Sequence, residues 1–195
     1  MIRLRFPSAP VACVALLLAA RPAFGETHAP ATGLLDLAGH AANPFATHAA
    51  RLLVFVFVRT DCPIANAYAP EVQRLSASYA ARGVVWRLVY CDPDESPARI
   101  RRHLADFACT SPALRDPAQR FAKRSRVRVT PEAAVWRPDG VLLYHGRIDD
   151  RYADFGKARP EPVQRDLVRA LDAALAGRRV PAASGPAVGC GIAGL

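Results

Sequence analysis

The sequence predicts a single α/β domain of three layers, a central mixed β-sheet with helices on both faces. Three observations predict it. Two short runs rich in β-branched and aromatic residues, 51–58 and 84–90, are separated by one long amphipathic stretch, the pattern of parallel strands joined by a helical crossover. Two more apolar runs flank Pro138-Asp139-Gly140, which reads as a hairpin. Amphipathic segments follow the second strand and the hairpin as well, and such an alternation buries a sheet between helical layers.

The elements follow in order. "RLLVFVFV" (51–58) is continuously apolar after its first residue, as expected of a strand buried on both faces. From Pro63, the residues Ile64, Tyr68, Val72, Leu75 and Tyr79 recur at three- and four-residue steps, marking a helix that closes near Gly83. "VVWRLVY" (84–90) is a second buried strand. Ser96-Pro97 offers an N-cap and a proline at the first helical position, with Ile100, Leu104 and Phe107 on one face. Asp116-Pro117 repeats that start signal before a shorter helix. "EAAVW" (132–136) and "VLLYHGRI" (141–148) form the hairpin. A last helix, about Pro162 to Ala176, carries Val163, Leu167, Leu171 and Leu175 and stops at Gly177. The tail, residues 178–195, is rich in Pro, Ala and Gly and is expected to lack regular structure.

The N-terminus predicts export. Arg3 and Arg5 precede an apolar run from Val11 to Ala20, and Ala23-Phe24-Gly25 has small residues at the −3 and −1 positions of a cleavage site. Residues 1–25 are thus expected to be a signal peptide, with the domain over 26–177, a periplasmic or secreted location and no stable membrane insertion after cleavage. Loss of Arg3, Arg5 and Arg21 with the leader lowers the formal charge from +9 to +6. The excess lies in "RIRRH" (99–103) and "RFAKRSRVR" (120–128), which lack interleaved aromatics; a solvated basic face fits better than a nucleic-acid partner. Cys62, Cys91, Cys109 and Cys190 remain for an oxidising compartment, where thiols pair or do redox chemistry.

Cys62 follows the first strand at the amino end of its helix. Reactive groups in such sheets collect at the carboxyl ends of parallel strands. The unsatisfied N–H groups and positive dipole end of the helix stabilise a thiolate, the nucleophilic form of cysteine. Arg59 adds to this and Asp61 opposes it; a buried, inert cysteine is the reading these residues leave open. Cys109, after Phe107-Ala108, reads as core, His103 as a solvated member of the basic helix, and His145 as a strand residue with no local partner pattern.

A strand, a cysteine at the helix start, Pro70 eight residues on, and Val129-Thr130-Pro131 before the hairpin resemble the thioredoxin-like superfamily. The chain is most similar to the exported redoxin group related to alkyl hydroperoxide reductase and thiol-specific antioxidant domains, through "DCPIANAYAPE" (61–71), "VTPE" (129–132), "GRIDDRY" (146–152) and "AVGCGI" (187–192). The resemblance implies a thioredoxin-like fold, a cis Pro131 facing Cys62, and thiol-based oxidoreductase chemistry without an organic cofactor. It makes Cys62 the nucleophile, has Pro131 shape the substrate face with Thr130 beside it, and gives as partner an external thiol reductant or a disulfide-bearing protein.

Departures from better-known relatives restrict the chemistry. Thioredoxins use Cys-x-x-Cys, whereas position 65 is alanine, so dithiol exchange within one helical turn is excluded. Peroxiredoxins place a Thr or Ser three residues before their cysteine and an arginine near where Pro131 falls; here Arg59 is at −3 and Thr60 at −2. A peroxidase using donors from Thr60 and Arg59 is one alternative. Copper binding through soft thiolates at 62, 91 or 190 is another. Parallel pairing of the first two strands brings Cys91 to the same sheet edge as Cys62, and the hairpin's return strand brings Asp149, Asp150 and Arg151 of "DDRY" to the rim. Cys190 is the leading resolving residue: it lies 13 residues beyond the last helix, and such a tail spans roughly 20 Å as a flexible coil.

Overall fold

The computed structural model describes residues 1–2, 32–47 and 49–195, so the expected leader, apart from its first two residues, lies outside the described residues. The elements are β1 (Leu52–Val58), α1 (Pro63–Ala80), β2 (Val84–Tyr90), α2 (Pro97–Asp106), β3 (Ala113–Arg115), α3 (Arg120–Ser125), β4 (Val129–Thr130), β5 (Glu132–Trp136), β6 (Leu142–Gly146), β7 (Tyr152–Asp154), β8 (Lys157–Ala158), α4 (Asp166–Leu175) and β9 (Cys190–Gly191). Five strands form the central sheet in the order β3-β2-β1-β5-β6. β1, β2 and β3 pair in parallel, while β5 and β6 join antiparallel, so the sheet is mixed, as the alternating helices and the hairpin predict. No described helix is long and apolar enough to cross a membrane.

β1 sits at the centre and is buried along its whole length, because successive side chains feed opposite faces. Leu52, Val54, Val56 and Val58 join α1 and α4 in one core, whereas Leu53, Phe55 and Phe57 pack with Phe121 of α3 and Trp136 in the other. These two cores are the walls that fix where β1 ends, and Cys62 follows four residues later.

Several local features differ from expectation. β3 is a three-residue strand, and the β7–β8 pair is an additional small ribbon; both are too short to leave a periodic signal. α4 starts at Asp166 rather than Pro162, because Asp150 Oδ1 accepts the Val163 and Gln164 amides at 2.7 and 2.8 Å and holds them out of the helix. Val163 is accordingly 72% exposed. His103, expected in solvent, is buried between the Tyr90 hydroxyl and Asn66 Oδ1, each at 2.8 Å.

The tail is the largest correction. It is irregular over most of its length, yet it is fastened at three points. Asp166 Oδ1 accepts the Ser184 amide and hydroxyl at 2.9 and 2.7 Å while its Oδ2 takes Arg147 Nε at 2.6 Å. β9 pairs antiparallel with β4, Thr130 opposite Cys190 and Val129 opposite Gly191. The Ile192 side chain is buried in the second core, and its amide donates to Arg128 O at 2.9 Å. Cys190 is therefore held in register.

Asp166→Ala leaves the largely buried Arg147 guanidinium without its carboxylate, a change expected to cost about 3–5 kcal/mol. A urea midpoint should fall accordingly, with hydrogen exchange accelerated over residues 184–192. An unchanged midpoint would show that Asp166 does not fasten the tail.

Candidate active site

Cys62 is the N-cap of α1. Its backbone is extended (φ −87°, ψ 107°), Pro63 opens the helix, and the Ala65 amide donates to Cys62 Sγ at 3.4 Å. The sulfur thus satisfies a helix-end donor, as cap oxygens do elsewhere. Its thiol donates to Thr130 O at 2.9 Å, the residue is fully buried, and the Thr130–Pro131 peptide is cis, as the resemblance implies. Directly across β4, Cys190 lies opposite Thr130, whose carbonyl takes the Cys62 thiol, so the two cysteines are neighbours and each shifts the other's proton affinity.

Gly189 permits this approach. A Cβ there would lie 2.6 Å from the Thr130 carbonyl carbon and still closer to its oxygen, inside any tolerable contact, and backbone cannot swing aside as a side-chain tip can. Arg59 adds a clasp from the β1 side: Nη1 donates to Gly191 O at 3.3 Å, while Nη2 pairs with Asp61 at 3.0 Å and Asp92 at 3.4 Å.

The two thiols have opposed proton affinities. Burial pushes Cys62 up, but donation from the Cys190 thiol, the Ala65 amide, the Thr130 hydroxyl and the Cys190 amide outweighs it and holds the thiol below the usual cysteine range. Cys190 is pushed up to about 11 by burial, by its bond to Cys62 and by the adjacent charge when Cys62 ionises. Of the two, Cys62 is the thiol that loses its proton more readily.

Other candidates fall elsewhere. Cys91 does not reach the site: it is fully buried in the opposite core and its thiol is pushed up to about 12, chiefly by burial. β2 ends beside β1, but the residue after it turns to the other face. The Thr60 hydroxyl donates to Glu95 Oε2 at 2.5 Å and accepts from Arg99 at 3.3 Å, and its carbonyl takes Asn66 Nδ2 at 3.1 Å. Thr60 therefore clamps the loop before Cys62 rather than addressing its sulfur. Among the described residues, "DDRY" makes no hydrogen bond to the thiols. Asp149 accepts the Tyr68 hydroxyl at 2.5 Å, Asp150 holds the 163–164 amides, and Arg151 lines a separate cleft of about 670 Å³ with Glu71, Arg74 and Arg165. Cys109 is partly buried against the first core. Among the described residues no group of three or more His, Cys, Asp or Glu side chains is placed to hold a metal.

Sequence reasoning passed over Gly189, Glu95, Asn66 and the role of Arg59 at the tail. Only Gly189 carried a local signal, a glycine directly before a cysteine in an otherwise irregular stretch.

No family model matches the chain, and no curated protein matches it in sequence. Solved structures do. An uncharacterized conserved protein from Geobacillus kaustophilus has 26% identity and a TM-score of 0.71, covering 84% of this chain and 88% of that one. A hypothetical protein from Sinorhizobium meliloti has 25% identity and a TM-score of 0.69, with 82% and 88% covered. MTB dsbF, solved in mixed oxidized and reduced forms, has 17% identity and a TM-score of 0.50, with 76% and 97% covered.

Gly189→Ala should lift the tail from Thr130. Iodoacetamide labelling of Cys62 should then reach a faster plateau, because the sulfur is uncovered, and its pH midpoint should rise because the Cys190 donors are gone; an unchanged profile would contradict the geometry. An uncharacterized thioredoxin-like protein from Porphyromonas gingivalis, at 18% identity and a TM-score of 0.50 over 60% and 77% of the two chains, agrees with the others on architecture, and the fold of this chain is thioredoxin-like.

Proposed function

We propose that the protein is an exported thiol–disulfide oxidoreductase in which Cys62 is the nucleophile and Cys190 the resolving thiol. The observation that carries the reading is the β4–β9 pairing, which sets Cys190 opposite Thr130, the residue whose carbonyl takes the Cys62 thiol. The thioredoxin-like fold and the neighbour named dsbF support it, and the arginine-flanked apolar leader and small-residue cleavage pattern support export.

The chemistry balances without a cofactor. Once the tail lifts to expose the sulfur, which is fully buried at rest, Cys62 thiolate attacks one sulfur of a partner disulfide, forming a mixed disulfide and expelling the partner's other sulfur as thiolate. Cys190, after losing its proton, attacks Cys62 Sγ and releases the partner's remaining sulfur. The partner gains two electrons and the pair Cys62–Cys190 is oxidised to a disulfide; an external dithiol reductant returns it. The sequence runs in reverse when the partner is the dithiol. Once Cys62 is bonded to the partner its charge is gone, and with it the repulsion that kept Cys190 protonated.

A peroxidase reading is weakened by the donors near Cys62: the Thr60 hydroxyl is committed to Glu95, and both terminal Arg59 nitrogens are committed to Asp61, Asp92 and Gly191 O, which leaves Arg59 Nε, buried and without a partner, as that side chain's one uncommitted donor.

Mild oxidation should yield an intramolecular Cys62–Cys190 bond in peptide maps, and Cys190→Ser should accumulate mixed disulfides at Cys62. Cys62 joined to Cys91, or Cys190 free throughout turnover, would overturn the assignment of Cys190. In stopped-flow, hydrogen peroxide should oxidise Cys62 at close to an ordinary thiolate's rate; fast, saturating oxidation would restore the peroxidase reading.

A further inference from the structure

The basic run 120–128 is not used by the thiol chemistry, and it is not a uniformly solvated face. α3 ends at Ser125, and Arg126 takes a left-handed conformation (φ 61°) that turns the chain into β4. This brings Lys123, Arg126 and Arg128, all exposed, onto one cleft of about 390 Å³ completed by Val127, His145 and Leu195. Arg124 is otherwise occupied, its guanidinium over the Phe45 and Trp136 rings at 5.3 and 5.0 Å.

The lysine and arginine side chains of the cleft make no ion pairs: among the described residues, none of Lys123, Arg126 and Arg128 lies within ion-pair distance of a carboxylate. Glu132, a carboxylate side chain beside the cleft, is committed: its Oε2 accepts the Arg128 and Val129 amides at 2.8 and 3.3 Å, and its Oε1 lies 3.7 Å from His145 Nδ1. Arg128 directly precedes β4, whose Thr130 carbonyl takes the Cys62 thiol. Two strand residues span about 6–7 Å, so the cationic wall begins within roughly one Debye length of the site at physiological salt.

We propose that this cleft receives an acidic segment of the redox partner, flanking the partner's own cysteine, so that charge selects which polypeptides Cys62 meets. The inference rests on Cys62 being the nucleophile. A cavity of this size takes one or two carboxylate side chains, and the basic residues lack the interleaved aromatics that stack bases, which favours an acidic polypeptide over nucleic acid. The unpaired cations attract carboxylates before contact, raising encounter rates in a salt-dependent way.

The test uses three disulfide-linked peptides that differ only in Glu, Gln or Lys flanks and measures the rate at which each forms a mixed disulfide at Cys62 of the full chain. The Glu peptide should react about tenfold faster than the Gln peptide at about 20 mM salt, the Lys peptide slower still, and the spread should shrink toward about 300 mM salt. Lys123→Glu with Arg126→Glu should abolish the preference while leaving the Gln peptide's rate unchanged; Lys123→Gln with Arg126→Gln, a milder exposed change, should reduce it in the same direction. Charge-blind rates, or a preference that survives both double variants, would overturn the proposal. So would tighter binding of a single-stranded oligonucleotide than of the Glu peptide, lost in the same variants. Failure of all three peptides to modify Cys62 would instead defeat the thiol reading on which it stands.

Discussion

The pairing of Thr130 with Cys190 is the contact on which the site depends. It places a second sulfur at Cys62 without a second cysteine in α1, and it relies on backbone shape more than on side-chain chemistry. Gly189 lies so close to the Thr130 carbonyl that no other residue fits. Ile192 then plugs into the core behind α3, and Asp166 holds the tail's middle through Ser184. A tail without these anchors would explore a large volume and lose entropy at each closure; the fastened tail has already met that cost on folding.

The electrostatics follow from the same contact. A sulfur that is fully buried loses hydration, which by itself favours the neutral thiol. The donors at the head of α1 and across β4 outweigh burial at Cys62, whereas at Cys190 burial, the bond to Cys62 and the charge on Cys62 outweigh the pull of Arg59 and push its thiol up to about 11. Most donors near the sulfur are absorbed in holding structure: the Thr60 hydroxyl with Glu95, Asn66 Nδ2 with the Thr60 carbonyl, and the terminal Arg59 nitrogens with Asp61, Asp92 and the tail. The loop before Cys62 is thereby rigid and chemically quiet except at its sulfur.

What was legible in the sequence were features with a local cause. β1 and β2 showed as unbroken apolar runs because both faces are buried, and Cys62 showed as a helix cap because Pro63 follows it. The hairpin showed through Pro138-Asp139-Gly140. What was illegible depends on partners distant in sequence. His103 sits in a basic stretch, yet Tyr90 and Asn66 draw it inside. Asp149 and Asp150 carry the appearance of reactive carboxylates but serve Tyr68 and the start of α4. Cys91 shares a sheet edge with the site, but a strand's alternation decides the face, and it turned the wrong way. The tail's Pro, Ala and Gly composition gives no periodicity from which a two-residue strand could be read.

The central claim is that Cys62 and Cys190 form one intramolecular couple, and equilibration in glutathione buffers tests it directly. At a fixed ratio of reduced to oxidised glutathione, forming an intramolecular disulfide converts one oxidised glutathione into two glutathione thiols, so its midpoint must shift with total glutathione concentration, whereas a mixed disulfide on Cys62 alone releases one thiol and depends on the ratio only. A Cys62–Cys190 couple gives a shifting midpoint in the native chain, with both thiols lost together, and a midpoint that ceases to shift in Cys190→Ser. A concentration-independent midpoint in the native chain, or a shifting one that persists without Cys190, would contradict it.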